Sequence, residues 1–122
     1  ASGGHANAAR GDGRLAAAPA GPPVDRFVDD PDLPLVGPLT MLKGPDHMLD
    51  LAELERMHDV LVYTTEPLEA PLTLMGEAEA ELVTSADVPD ADLCLYLAER
   101  RADGRTIQLA FGQLRLRYRE GF

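Results

Sequence analysis

A hydrolytic centre needs a nucleophile, a base and an orienting acid within reach of one another. The chain offers two serines, Ser2 and Ser85, and three histidines, His5, His47 and His58. Neither serine stands in a Gly-x-Ser-x-Gly elbow. Ser85 opens the polar string Ser-Ala-Asp-Val-Pro-Asp-Ala-Asp, where Ser, Asp and Pro serve as turn residues. No catalytic residue is assigned. The histidines lack the i, i+4 spacing or cysteine partners of a zinc site, so they read as surface or hydrogen-bonded side chains and no metal ligand is assigned. His47, in the loop after Gly44-Pro45-Asp46, is the one to watch. Asp87, Asp90 and Asp92 have the density of a calcium loop without its glycine and closing glutamate. They read as acidic turn chemistry, with an irregular calcium site still open. Cys94 lies in a Leu-rich run with no basic neighbour, the setting of a buried, inert thiol. No cofactor is expected.

Two charged rows are more distinctive. Glu77, Glu79 and Glu81 alternate with Ala78, Ala80 and Leu82; Arg115, Arg117 and Arg119 alternate with Leu114, Leu116 and Tyr118. Both could be solvated faces. If the two strands are neighbours, the rows interleave as a cross-strand ladder, each pair contributing roughly 0.2–1 kcal/mol and the exposed ones least. Period two aligns a row with a neighbour without choosing that neighbour.

The elements that would carry these residues follow from spacing and from prolines. The first 23 residues hold eight Ala, five Gly and three Pro with no apolar period, and seven of the ten prolines lie at or before Pro45. Each proline removes an amide donor and clashes with a preceding helical turn. Residues 1–46 are therefore expected to be an extended, irregular N-terminal arm with one short strand at 25–28, free or packed as a cover strand. Residues 48–57 alone have helical spacing, and residues 47–122 form the β-portion. Expected strands are 60–64, 77–84, 93–98, 106–111 and, after Gly112 as a bend or bulge, an Arg-rich strand at 114–119, with Asp103-Gly104 as a hairpin turn. Short antiparallel strands with regular turns point to an all-β fold, a β-sandwich or jelly roll of the galactose-binding-like kind.

Composition narrows the partners. The chain has 122 residues, enough for one domain, and a formal charge of -10, which opposes encounter with nucleic acid. No apolar run approaches a membrane span. The single cysteine makes no internal disulfide and leaves the redox compartment open, with the cytoplasm slightly favoured over secretion. The charge is divided: no Lys or Arg stands between Arg56 and Arg100, whereas six arginines follow from Arg100 to Arg119 with Asp103 alone opposing them.

At Arg56-Met57-His58-Asp59-Val60-Leu61-Val62-Tyr63-Thr64-Thr65-Glu66-Pro67-Leu68 the chain resembles the C-terminal domain of X-Pro dipeptidyl-peptidases and of CocE/NonD-type serine hydrolases. The resemblance continues through Ser85-Ala86-Asp87-Val88-Pro89-Asp90-Ala91-Asp92, Asp103-Gly104-Arg105 and Leu114-Arg115-Leu116-Arg117-Tyr118-Arg119-Glu120-Gly121. Upstream, Ser2-Gly3-Gly4-His5-Ala6-Asn7, Gly11-Asp12-Gly13-Arg14-Leu15 and Asp25-Arg26-Phe27-Val28-Asp29-Asp30-Pro31 look like the lead into that domain.

The resemblance implies a jelly roll beside an α/β-hydrolase domain that carries the Ser-Asp-His triad, so no triad member maps onto this chain. It implies that the string Gly37-Pro38-Leu39-Thr40-Met41-Leu42 contributes to the substrate pocket through Met41 and Leu42, although Pro38 replaces a usual glycine. Family members continue beyond the Tyr-Arg-Glu-Gly string with further strands, whereas this chain stops at Phe122. The expectation is an incomplete sandwich, self-associating through open strand edges. The function implied is a non-catalytic domain that packs on the hydrolase domain and lines its pocket, inactive by itself within a parent serine hydrolase. The alternative is a stand-alone β-sandwich binding a carbohydrate or protein partner. The absence of Trp and the scarcity of other aromatics disfavour sugar.

Overall fold

The structure is a computed structural model, and it describes residues 2–7, 11–16, 24–30 and 48–120. Its regular part is a hairpin of two antiparallel strands, β1 (Asp92–Arg100) and β2 (Thr106–Arg115). Among the described residues, helix is confined to two 3-10 turns, Leu54–Arg56 and Leu116–Tyr118. The described residues are thus all-β in class, with no second sheet among them. No helix of the described residues is long and apolar enough to cross a membrane.

The hairpin turns where the Asp-Gly signal places it. Gly104 has φ +90°, a conformation that costs glycine little, and its amide donates to Arg101 O at 3.0 Å. Asp103 accepts from the Arg105 amide at 3.1 Å and from Arg105 Nε at 2.9 Å, which fixes the turn on its β2 side. Those bonds hold the Asp103 carboxyl below its ordinary value against a smaller opposing effect of burial.

Pairing runs Asp92↔Arg115, Leu93↔Leu114, Leu95↔Gly112 and Leu97↔Ala110, then slips, so that Ala98 faces Gln108 and Glu99 faces Ile107. The extra residue is Leu109. The bulge therefore lies between Leu97 and Ala98, and Gly112, where it was expected, sits in regular ladder. β2 runs straight through Gly112 to Arg115, joining the expected strand 106–111 to the start of the alternating run at 114–119 without a bend, and stops four residues short of the end of that run. On the other face Tyr96 and Phe111 are paired, with rings 5.0 Å apart and tilted 42°.

The helical period at 48–57 yields less than a helix. Leu49 and Asp50 lie along the outer edge of β2 instead. The Leu51 amide donates to Thr106 O at 2.7 Å, the Gln108 amide donates to Leu49 O at 3.0 Å, and Asp50 bridges Ile107. Asp50 Oδ1 also accepts from the amides of Thr106 (2.9 Å) and Ala52 (3.0 Å). These edge bonds use the amides a helix would need, and a ten-residue helix is marginal without tertiary support. One 3-10 turn remains. It presents Glu55 to Arg100 (2.7 Å) and to the Thr106 hydroxyl (3.1 Å). Ile107 is fully buried at this junction, and Leu51 and Thr106 are nearly so.

Where it is described, the N-terminal arm lies against residues 62–64 through backbone bonds and one isolated bridge, not as a strand on a sheet. Val62 N–H donates to Ala6 O at 2.7 Å, Thr64 N–H to Gly13 O at 3.2 Å and Leu15 N–H to Thr64 O at 2.9 Å, with a parallel bridge between Arg14 and Thr64. The expected strand at 60–64 is thus extended chain whose partner is the arm. Ala6 is fully buried there. Residues 77–84, expected as a strand, are exposed chain with no strand partner among the described residues.

Candidate functional site

The most densely bonded side chain of the arm is Asp25. The Ser2 hydroxyl lies 2.5 Å from both of its oxygens, the Tyr63 hydroxyl donates to Oδ2 at 2.7 Å, and the Ala6 amide donates to Oδ1 at 3.2 Å. Asp12 does similar work nearby, accepting from the amides of Gly3 (2.7 Å) and His5 (3.2 Å). Two carboxylates thereby hold the Ser-Gly-Gly-His string against residues 62–64, which hydrogen-bond the arm in turn. Burial pushes the Asp25 carboxyl up, but the bonds from Ser2, Tyr63 and the Ala6 amide outweigh it and hold the group below its ordinary value. Tyr63 moves the other way. Burial, then its bond to Asp25 and the charges of Asp25 and Asp12, raise it from 10.0 to about 12.

The signs give opposite pH limits for one bond. Asp25 contributes above the ordinary value of 3.8 and loses that contribution as pH falls through its lower folded value. Tyr63 contributes fully below pH 10.0 and loses its contribution as pH rises through about 12. In a tyrosinate absorbance titration, a step near pH 12 should appear and should vanish in Tyr63→Phe. Loss of this partly exposed bond should cost about 1 kcal/mol. Ionisation of every tyrosine near pH 10 would contradict the bond.

The Ser2 hydroxyl is committed to a carboxylate, which orients it but offers no imidazole to relay the proton. Ser85 is exposed, and no hydrogen bond to it is made among the described residues. His5 and His58 are exposed, and His47 lies outside the described residues. No group of three or more His, Cys, Asp or Glu side chains that could hold a metal gathers among the described residues. Cys94 is exposed rather than buried; partial burial of its thiol, then the charge of Asp92, pushes it up, away from thiolate reactivity.

The charged rows resolve differently from the expected ladder. The strand ends at Arg115, and Leu116–Tyr118 turns in a 3-10 helix, so Arg115, Arg117 and Arg119 do not form a strand row. Arg115 Nε lies 3.2 Å from both Asp90 and Asp92, Arg117 Nε lies 2.5 Å from Asp90, and Arg119 donates to Leu116 O at 3.0 Å. Burial pushes Asp90 up, and the bonds and charges of Arg117 and Arg115 more than reverse it. Glu77, Glu79 and Glu81 stand on exposed chain without an ion pair among the described residues. Asp90 wins the arginines because it is only a few residues from β1, which already lies beside β2; the Leu116 amide bonded to Ala91 O at 2.9 Å closes the same junction. The acidic turn string was visible in the sequence, but not its partner.

Met41 and Leu42, the pocket residues implied by the family resemblance, lie outside the described residues. In the sequence Asp25 is only part of an expected short strand; its role depends on partners 23 and 38 residues away, which no local spacing reveals.

Comparison with known proteins adds a family. The family model described as the X-Pro dipeptidyl-peptidase C-terminal non-catalytic domain matches residues 11–122. The chain is 35% identical over 121 residues to a cocaine esterase of Rhodococcus sp. (strain MB1 Bresler), a match covering 96% of this chain and 21% of that protein. The chain thus spans about a fifth of the length of that relative. No solved structure matches it.

Proposed function

The chain belongs to the X-Pro dipeptidyl-peptidase C-terminal non-catalytic domain family, and from that membership we propose that it serves as the β-domain of a serine hydrolase, packing on an α/β-hydrolase domain and lining one wall of its substrate pocket. The observation that carries this reading is the family match over residues 11–122. In this reading the hairpin and the strapped arm are parts of an antiparallel jelly roll, residues 1–46 are the lead-in and residues 47–122 the sandwich portion. Met41 and Leu42 face the substrate, which belongs to the X-Pro peptides, esters or amides. The open edges of the sheet also let the chain associate with itself.

Two measurements test the central claim. The pure chain should not turn over p-nitroanilide or ester substrates, and turnover by it would overturn the non-catalytic reading. In the parent hydrolase, Met41→Ala and Leu42→Ala should each lower kcat/KM about tenfold, the scale of a trimmed apolar pocket contact. Unchanged kinetics in both variants would remove them from the pocket wall.

A further inference from the structure

Four consecutive amides of the N-terminal string all donate to side-chain oxygens. Gly3 N–H meets Asp12 Oδ2 at 2.7 Å, Gly4 N–H the Ser2 Oγ at 3.2 Å, His5 N–H Asp12 Oδ1 at 3.2 Å and Ala6 N–H Asp25 Oδ1 at 3.2 Å. Neither helix nor sheet sets the path of residues 3–6; Ser2, Asp12 and Asp25 do. The Ser2 hydroxyl accepts from Gly4 while donating to Asp25, so Asp25 holds Ala6 directly and Gly4 through Ser2. Asp12 holds the other two amides. Bonds to an ionised carboxylate are about twice as strong as neutral ones, and removing either aspartate strips its amides of their acceptor.

The string ends on the body of the chain. Ala6 is fully buried, its carbonyl accepts from the Val62 amide, and the Tyr63 hydroxyl donates to Asp25. The family match begins at residue 11. Residues 2–7 therefore precede the matched region, whereas everything that anchors them, Asp12, Asp25, Val62 and Tyr63, lies inside it. The matched domain is a C-terminal one, so in a parent hydrolase the chain runs into it from the N-terminal side, through this string.

We propose that Asp12 and Asp25 latch the junction between this β-domain and the hydrolase domain before it, and so fix where the pocket wall stands. The proposal rests on the reading of the chain as a pocket-lining β-domain and names the residues that hold it in place. An unbonded Ser-Gly-Gly-His-Ala junction is loose, because glycine has more conformational freedom to lose than any other residue. The two carboxylates remove that freedom. With the latch closed the wall keeps one position; with it open the wall is in place for a fraction of the time, and apparent affinity falls by that fraction. Both aspartates act through the junction and not on the substrate, as positioning residues.

Hydrogen exchange and steady-state kinetics of the parent hydrolase test the latch together. The amides of Gly3, His5 and Ala6 should exchange at least about tenfold more slowly than in unstructured chain. Asp25→Ala should release Ala6, and Asp12→Ala should release Gly3 and His5. Each variant should raise KM at least about threefold and leave kcat unchanged, the mark of lost binding that is equal in ground and transition states. Ser2→Thr keeps the hydroxyl and should match the wild type, whereas Ser2→Ala should shift KM in the same direction as Asp25→Ala. Ile107→Val weakens the hairpin core without touching the latch and should leave KM unchanged. Should Asp25→Ala fail to fold, Tyr63→Phe removes one donor and spares the Ser2 and Ala6 bonds, and should give the same split on a smaller scale. Free exchange at Gly3, His5 and Ala6 in the wild type would overturn the latch. Released amides with an unchanged KM would overturn the positioning role, as would an equal rise in KM from Ile107→Val. None of these results touches the pocket-lining reading itself, which stands or falls on turnover by the pure chain and on the Met41 and Leu42 variants.

Discussion

Replacement of Ile107 by alanine should cost about 2–5 kcal/mol, the range for emptying a buried aliphatic site. Ile107 is fully buried, and among the described residues Ala6 and Leu51 are the other buried apolar side chains. Small domains have only about 5–15 kcal/mol of stability in total, so the variant should be largely unfolded at moderate urea, where the parent chain is folded. Ile107→Val should cost about 0.5–1.5 kcal/mol. Leu109→Ala, two residues along at a side chain 50% exposed, should cost under about 1 kcal/mol. Urea unfolding followed by circular dichroism ranks the three, and equal losses at Ile107 and Leu109 would show that the core lies elsewhere.

Gly13→Ala should detach the N-terminal arm while leaving the hairpin intact. A Cβ at Gly13 would lie 2.1 Å from the Val62 carbonyl oxygen and 3.1 Å from the Ala6 Cβ. The first of these is backbone, so no rotamer change relieves it. Forced overpacking of this kind costs about 1–3 kcal/mol. The bonds that hold the arm, Thr64 to Gly13, Leu15 to Thr64 and Val62 to Ala6, should open together. Hydrogen exchange should then quicken at the amides of Leu15, Val62 and Thr64 and stay unchanged at those of β1. At Gly112 nothing lies within 4 Å of an added Cβ, so Gly112→Ala is the matched control and should be neutral or slightly stabilising. Protection unchanged at Val62 and Thr64 in Gly13→Ala would refute the close approach.

What the sequence reveals here divides by range. The hairpin was legible because its signals are local: Leu93, Leu95 and Leu97 in alternation, Asp-Gly at the turn, and a returning β-branched and apolar run. Its class and its turn followed. The two ends were harder, since β2 runs past Gly112 on ladder bonds that no single residue type announces. Residues 48–57 show the opposite failure. Leu51, Leu54 and Met57 keep a helical period, but the amides of Leu51 and Thr106 find partners across about 55 residues of chain and the Ala52 amide is taken by Asp50, so tertiary bonding overrides the period. The alternation at 77–84 is real as a pattern; pattern alone supplies no neighbour. The arginines that seemed to match those glutamates instead meet Asp90 and Asp92, which the register brings beside them. Asp25 was the least legible of all, because an aspartate among turn residues looks the same whether it is solvated or gathers three donors.

The displaced pairing at Leu109 has a last consequence. Ile107 and Leu114 are an odd and an even residue of one strand, so in an unbroken alternation they would point to opposite sides; the extra residue between them puts both on the side of the β1 leucines. Chain length at this point therefore encodes orientation. A relative that gained or lost residues in the turn between Arg101 and Arg105 would keep its sidedness. A relative with a one-residue gap at 108 or 109 would lose the bulge and keep its isoleucine on this side, whereas one that kept all the residues but paired without the bulge would turn it outward.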